Sequence, residues 1–325
     1  MAKAFSIFAV VLYHTNCLPG MKTTAYLLCL PAFFFAAGMF ASPHLTPGEF
    51  FRRKTLRLLV PFLVFGLLSW LAWLLIGRNY GSDAEAPAAW WYPLYGMLTG
   101  MCEPMIHNRP LWFLVCMMSL EWMYYAVARI SNATGRWLLI AGLAVVGCLF
   151  SYWGKQWVWE LSSAMLVLPV YASGAECRKW VIDKASQSLT TRLLLVLAGS
   201  MIVFGLGWKF NPEMHISDGV TGNPVLFYTT MYAVVGIWFV LSILLCRLRE
   251  QWRVLQYIGQ NTLLVLCAHI PVFGVIKGIA LVCGCPLAFF NTMNGCLVLW
   301  AGTFIILMPC AALFNRYCPK LVGKR

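Results

Sequence analysis

Ten runs of apolar residues, each near the length of a membrane span and separated by short polar breaks, dominate this 325-residue chain. They fall at roughly 4–20, 24–42, 58–77, 110–130, 137–153, 158–174, 191–208, 224–246, 262–282 and 292–315. In hydrocarbon such runs must be helical, because only a helix satisfies every backbone N–H and C=O within its own segment. The expected fold is therefore all-α: a polytopic membrane helical bundle of about ten transmembrane helices, forming a single membrane-embedded domain over residues 1–325. Composition agrees, since only 11% of residues are charged, against about 25% in a soluble domain. A net charge of +13 would suggest nucleic acid as the partner of a soluble protein. In a membrane protein it marks the cytosolic helix ends instead, so no nucleic-acid partner is expected.

The basic residues set the expected topology. With a cytosolic N-terminus and ten spans, 18 of the 24 Lys and Arg fall on the cytosolic side and five on the outer side, with Lys277 inside a span. That asymmetry is the positive-inside signature, and it puts both termini in the cytosol. The long loops at about 78–109 and 209–223 then face outward.

Ionisable groups inside a membrane are costly and so become functional candidates. Here they are His14, Glu121, Glu160, His269 and Lys277. His14 follows Lys3 by eleven positions, roughly 16 Å along a helix, so Lys3 belongs at the cytosolic surface and His14 near or beyond mid-membrane. A histidine there can take a proton from a hydroxyl, since its ordinary pKa of about 6.5 lies close to neutrality. A hydrogen-bonded structural histidine is the competing reading. A second cluster, Arg52-Arg53-Lys54-Thr55-Leu56-Arg57, puts Lys54 and Arg57 three apart on one helical face. Such cations suit the phosphates of a nucleotide-type donor, or simply anchor a helix end.

The 13 cysteines show no metal-binding spacing, and no metal is expected. Cys283, Cys285 and Cys102 lie in loops, where packing is favoured over a redox role. The sequon Asn132-Ala133-Thr134 falls in an expected cytosolic loop and is discounted.

Several segments resemble the acyltransferase-3 family of integral membrane acyltransferases. Lys3 and His14 match its Arg/Lys-X10-His signature, and Pro31-Ala32-Phe33-Phe34-Phe35-Ala36-Ala37-Gly38 is similar to its second-helix stretch. Lys54-Thr55-Leu56-Arg57 resembles its Arg-x-x-Arg motif, with Lys in the first position. Asn108-Arg109-Pro110-Leu111-Trp112-Phe113-Leu114 is similar to the start of its fourth helix, and Ile258-Gly259-Gln260-Asn261-Thr262 with His269-Ile270-Pro271 resembles its late pattern. These segments follow the family's order over nearly the whole chain. The Lys at the first position is similar to the sugar O-acetylase branch.

The resemblance implies transfer of an acyl group, usually acetyl, from cytosolic acyl-CoA to a hydroxyl on an envelope glycan or lipid-linked sugar. Acetyl-CoA is then a co-substrate rather than a bound cofactor, and membrane lipids surround the enzyme, in a bacterial inner membrane. It implies His14 as the catalytic residue, acting as general base or as an acyl carrier, and Lys3, Arg53, Lys54 and Arg57 as donor-binding cations. Asn108, Trp112, Glu121 and His269 are acceptor-site candidates. Two departures stand out: an acidic residue that often precedes the motif has no counterpart before Lys3, which points to an upstream start, and Lys replaces Arg at both leading positions. With no appended soluble domain, any partner module is expected to be a separate protein. Serine-hydrolase, zinc-protease and ATPase motifs are missing. A transporter or flippase for a lipid-linked sugar or small solute is the alternative, disfavoured because no pair of matched broken helices is seen.

Overall fold

In a computed structural model of the chain, residues 1–15, 18–80, 82–85, 88–184, 187–249 and 251–324 are described. Arg325, the side chain of Lys184 and positions 16 and 17 of the first expected span lie outside the described residues. Among those described, every regular element is helical, and the sole β pairing is an isolated bridge between His215 and Val220. The principal helices are α1 (Ala2–Tyr13), α2 (Pro19–Cys29), α3 (Pro31–Gly38), α4 (Leu56–Leu75), α5 (Trp112–Val127) and α6 (Ala133–Tyr152). They continue with α7 (Leu161–Lys179), α8 (Thr190–Phe210), α9 (Pro224–Leu248), α10 (Thr262–Val282) and α11 (Met293–Tyr317). The chain is an all-α, polytopic membrane bundle.

Eight helical stretches among the described residues are long and apolar enough to cross a membrane, where ten were expected. The two others exist as helices but differ in character. α1 has 12 residues, about 18 Å against roughly 30 Å of hydrocarbon. It can be short because protein surrounds it: α2, α3, α9, α10 and α11 all pack on it. α7 carries Ser162, Ser163, Ser173, Gly174 and Glu176 and sits between α3, α5 and α6, so its polar groups never meet lipid unaided. The second span is broken at Leu30, where Pro31 begins α3 without the N–H a continuous helix would need.

The core is aromatic and aliphatic, with Phe33 packed edgewise and Phe34 tilted on Phe113. α8 is peripheral and shows Leu194, Leu195, Val196 and Ile202 outward, as a lipid-facing surface requires. α3 and α7 meet backbone to backbone. A Cβ at Gly38 would overlap the carbonyl of Tyr171, and one at Gly174 would overlap that of Phe35. Without a hydrophobic drive between helices in lipid, such small-residue contacts supply the packing. Asn132, the sequon residue, caps α6, its Oδ1 accepting the Thr134 N–H at 3.0 Å.

The two ends of the bundle differ. The basic end carries Lys3, Arg52 to Arg57, Arg129, Arg136 and the last turns before Lys324, tied by Tyr125 Oη donating to the Leu45 carbonyl at 2.8 Å and by the Arg136–Glu176 pair at 2.8 Å. The opposite end is built from loops 100–108, 153–160 and 211–223. There Gln156 Nε2 donates to the Ser217 carbonyl at 2.6 Å, and the Cys102 N–H donates to Glu160 Oε1 at 3.0 Å.

Candidate active site

Eleven residues separate Lys3 from His14, and at 100° per residue they lie only about 20° apart around α1. One helix therefore presents a cation at the basic end and an imidazole at the opposite end, on one face. α1 ends at Tyr13 and His14 is its C-cap, so the imidazole leaves the helix where the chain turns away. It opens into a small, partly open cavity of about 70 Å³, whose wall includes Tyr13, Tyr26, Cys102, Arg109, Trp112, Ser217 and Asp218.

His269, in α10, is the neighbour that matters most. Its ring centroid lies 5.0 Å from that of His14. His269 is fully buried, and its Nδ1 is 2.9 Å from the Val265 carbonyl. A carbonyl can only accept, so Nδ1 carries the proton and Nε2 is left as a bare lone pair. That nitrogen is buried and has no hydrogen-bond partner among the described residues. A buried acceptor without a partner is costly and persists where function needs it.

The mouth of the cavity is basic and aromatic. Arg109 is exposed there, and Lys22 lies over the Tyr13 ring at 5.6 Å. Tyr26 stacks on His215 with centroids 4.1 Å apart, and its Oη accepts the Ser217 N–H at 3.3 Å. Loop 211–223, which brings Ser217 and Asp218 to the cavity wall, is tied together by its own hydrogen bonds. Asn211 donates to the Thr221 carbonyl at 2.9 Å and accepts the Asn223 N–H at 3.0 Å. Gly222, at φ +58°, lies where a Cβ would strike the Asn211 amide. Across the cavity, Trp159 and Glu160 both adopt left-handed backbone, at φ 58° and 52°. Each such non-glycine residue costs roughly 1–2 kcal/mol. The cost is offset locally, since Glu160 accepts from the Cys102 N–H at 3.0 Å and the Ser163 hydroxyl at 2.7 Å, and the Trp159 carbonyl accepts from Ser119 at 2.6 Å.

The expected site residues divide into three places. His14, His269 and Trp112 gather at or beside the cavity. Asn108 adjoins the cavity-lining Arg109 in sequence but does not line the cavity: fully buried, it donates to Ser69 Oγ at 2.9 Å and to the Cys267 carbonyl at 2.8 Å, tying α4 to α10. Glu121 does not line this cavity. It lies toward the basic end of α5, accepting from Lys54 Nζ at 3.1 Å, and Lys54 also donates to the Phe40 carbonyl at 3.0 Å. Lys54 is thus paired with a carboxylate in this structure.

The charges of Lys54 and Arg57 both act on Glu121, Lys54 through direct contact. Phe51–Thr55 forms a π-helical turn, with the Leu56 N–H bonded to the Phe51 carbonyl. From this segment Lys54 pairs with Glu121, and Arg57 packs against Gly323 near the end of the described chain. Arg53 is at the surface, 3.8 Å from Glu49. Of the four expected donor cations, Lys3 and Arg57 converge. Tyr26, Arg109, Ser217 and Asp218 were missed, although Arg109 lies inside a recognised motif. All twelve cysteines among the described residues are free, Cys102 included. No three His, Cys, Asp or Glu gather as for a metal among the described residues.

Comparison with known families decides the class. The acyltransferase-3 family profile, described as an acyltransferase domain, matches residues 1–316. The chain belongs to this family. It is accordingly a membrane acyltransferase. No curated protein and no solved structure matches the chain.

Proposed function

We propose that this acyltransferase moves an acyl group, most simply acetyl, from acyl-CoA on the cytosolic side to a hydroxyl of an envelope glycan or lipid-linked sugar on the other side of a bacterial inner membrane. The supporting observation is the position of His14: one end of α1 carries Lys3 among other cations, and the other opens His14 into a cavity beside His269. In this reading the basic end is cytosolic, both termini lie there, and Lys3 and Arg57 meet the phosphates of the donor. The thioester carbonyl reaches His14 from that side. The acceptor hydroxyl enters between Arg109, Trp112 and Asp218, and Trp112 gives a sugar ring an aromatic face.

His14 takes the hydroxyl proton as the oxygen attacks the thioester carbon, and returns it to the departing CoA sulfur. One C–O bond forms, one C–S bond breaks, and the proton moves from oxygen to sulfur. The lone pair on His269 Nε2 is suited to hold the partner imidazole in its productive tautomer. An apolar groove on the outer surface of α1 and α2, walled by Trp208, Trp238 and Trp300, suits the hydrocarbon of a lipid-linked acceptor.

The test is to incubate purified protein in lipid with acetyl-CoA and candidate lipid-linked or free glycans, measuring O-acetyl on the glycan and free CoA thiol together. Equal amounts of both support the reading. If neither appears while the glycan crosses sealed vesicles, the chain is a flippase.

A further inference from the structure

At the basic end, Lys3, Arg57 and Lys324 form an unusual group. The charges acting on Lys3 are those of Arg57 and Lys324, both of its own sign. Arg57 lies against Gly323, so closely that a Cβ there would come within 3.2 Å of Arg57 Cγ and 3.3 Å of its Nε. Gly323 has φ +68°, a conformation that turns the chain back and that side chains resist, so the turn and the contact both require glycine. Lys324 follows immediately, and its Nζ donates to Asn261 Oδ1 at 2.9 Å. Asn261 in turn receives Asn315 Nδ2 at 2.9 Å and donates to the Tyr257 carbonyl at 2.8 Å, so the anchor is itself fixed. Burial and the Arg57 guanidinium hold the Lys324 ammonium below the usual lysine range. Among the described residues, no carboxylate lies within ion-pair distance of any of the three cations.

Three like charges held together by defined packing, none of them in an ion pair among the described residues and with Glu121, the acid whose charge acts on Arg57, already paired to Lys54, repel one another and are suited to an anion of more than one charge. Lys324 lies beyond the segment that the family profile matches. Resting on the acyl-CoA reading above, we infer that Lys324 is a donor-binding residue, supplied by the segment after α11, which completes with Lys3 and Arg57 a three-cation site for the phosphate groups of the acyl-CoA. Gly323 and Asn261 are its positioning residues. The anionic headgroup of a membrane lipid offers the same chemistry, so the experiment separates the two sources.

Full-length protein, with Lys324→Gln and Lys324→Arg variants, is placed in lipid nanodiscs made with and without phosphatidylglycerol. Acetyl-CoA binding, KM, kcat and thermal stability are then measured. The expected result is a KM raised about tenfold in Lys324→Gln, as for loss of one charge-assisted contact. The kcat and melting temperature stay unchanged, Lys324→Arg recovers the KM, and the effect is the same in both lipids. If wild-type protein binds acetyl-CoA and Lys324→Gln binds it equally well, this inference falls and the acyltransferase reading stands. If the variant differs only in retained phosphatidylglycerol, the cluster is a lipid site and the inference also falls. Wild-type protein that neither binds nor turns over acetyl-CoA would overturn the donor reading, and the inference with it. Should Lys324→Gln lose stability, Lys324→Met, which keeps the aliphatic stem, provides the same comparison.

Discussion

The imidazoles of His14 and His269 lie with centroids 5.0 Å apart and planes inclined by 48°, one at the end of α1 and the other inside α10. A helix-capping histidine half open to a cavity thus rests against a histidine held by its own backbone. If His269 orients His14, His269→Ala should lower kcat by roughly 10- to 100-fold, the range for a misplaced catalytic group. The KM for acetyl-CoA should change little, and His269→Asn should recover part of the rate. A His269→Ala enzyme with full kcat would remove His269 from the reaction.

Lys54 and Glu121 form a largely enclosed pair, with side-chain exposures of 14% and 10%. Removing one partner leaves the other charge without its mate, at a cost of about 3–5 kcal/mol. Lys54→Met and Glu121→Leu should each lower the melting temperature in lipid, while the double variant should recover most of the loss. Additive losses in the double variant would show that the pair does not couple.

Gly38 and Gly174 let α3 and α7 touch through their backbones. Gly174→Ala inserts a methyl group against the Phe35 carbonyl and should cost about 1–3 kcal/mol, as overpacking does. Gly20→Ala, at a position with open space around it, is the control and should be neutral. Equal stability of the two variants would contradict the close contact.

His107 is buried in the loop before Arg109, and burial pushes its imidazole down to about 4. A base whose folded value is depressed favours folding above its unfolded value of about 6.5 and loses that contribution as pH falls toward the folded value. Stability should therefore fall between about pH 6.5 and 4, by up to about 3 kcal/mol from this residue. Melting curves of His107→Gln should show a shallower acid slope than wild type. Identical slopes would exclude His107 as a contributor.

The proposed orientation can be read from native cysteines. Cys283 and Cys318 are both exposed, at the cavity end and the basic end respectively. In intact cells a membrane-impermeant maleimide should label Cys283 and spare Cys318 until the membrane is permeabilised. The reverse pattern would invert the topology and put the cavity in the cytosol.

The helical bundle was legible because apolar runs in hydrocarbon have few other options, and the family because Lys3, His14 and the later motifs keep their order. Span length was less so. α1 is short because neighbouring helices replace lipid around it, a property of packing that one sequence does not display. Asn108 and Glu121 were picked out correctly as polar groups in apolar surroundings, but their partners are distant in the chain. Lys54 is 67 residues from Glu121, and Asn108 is 159 from Cys267. The π turn at Phe51–Thr55 leaves no signal in an ordinary run of cations, and the pairing of Lys54 with the distant Glu121 could not be read from it. Ser217 and Asp218 reach the cavity through loop 211–223, whose shape depends on Asn211 and Gly222 rather than on a chemical motif.

The central claim is that His14 removes the acceptor proton during acyl transfer from CoA. Its most direct test is release of free thiol from acetyl-CoA by purified protein in lipid with an accepted glycan, comparing wild type with His14→Ala. The expected result is turnover in the wild type and a loss of at least about 100-fold in the variant, with melting temperature and acetyl-CoA binding retained. Full turnover by a folded His14→Ala protein would contradict the claim.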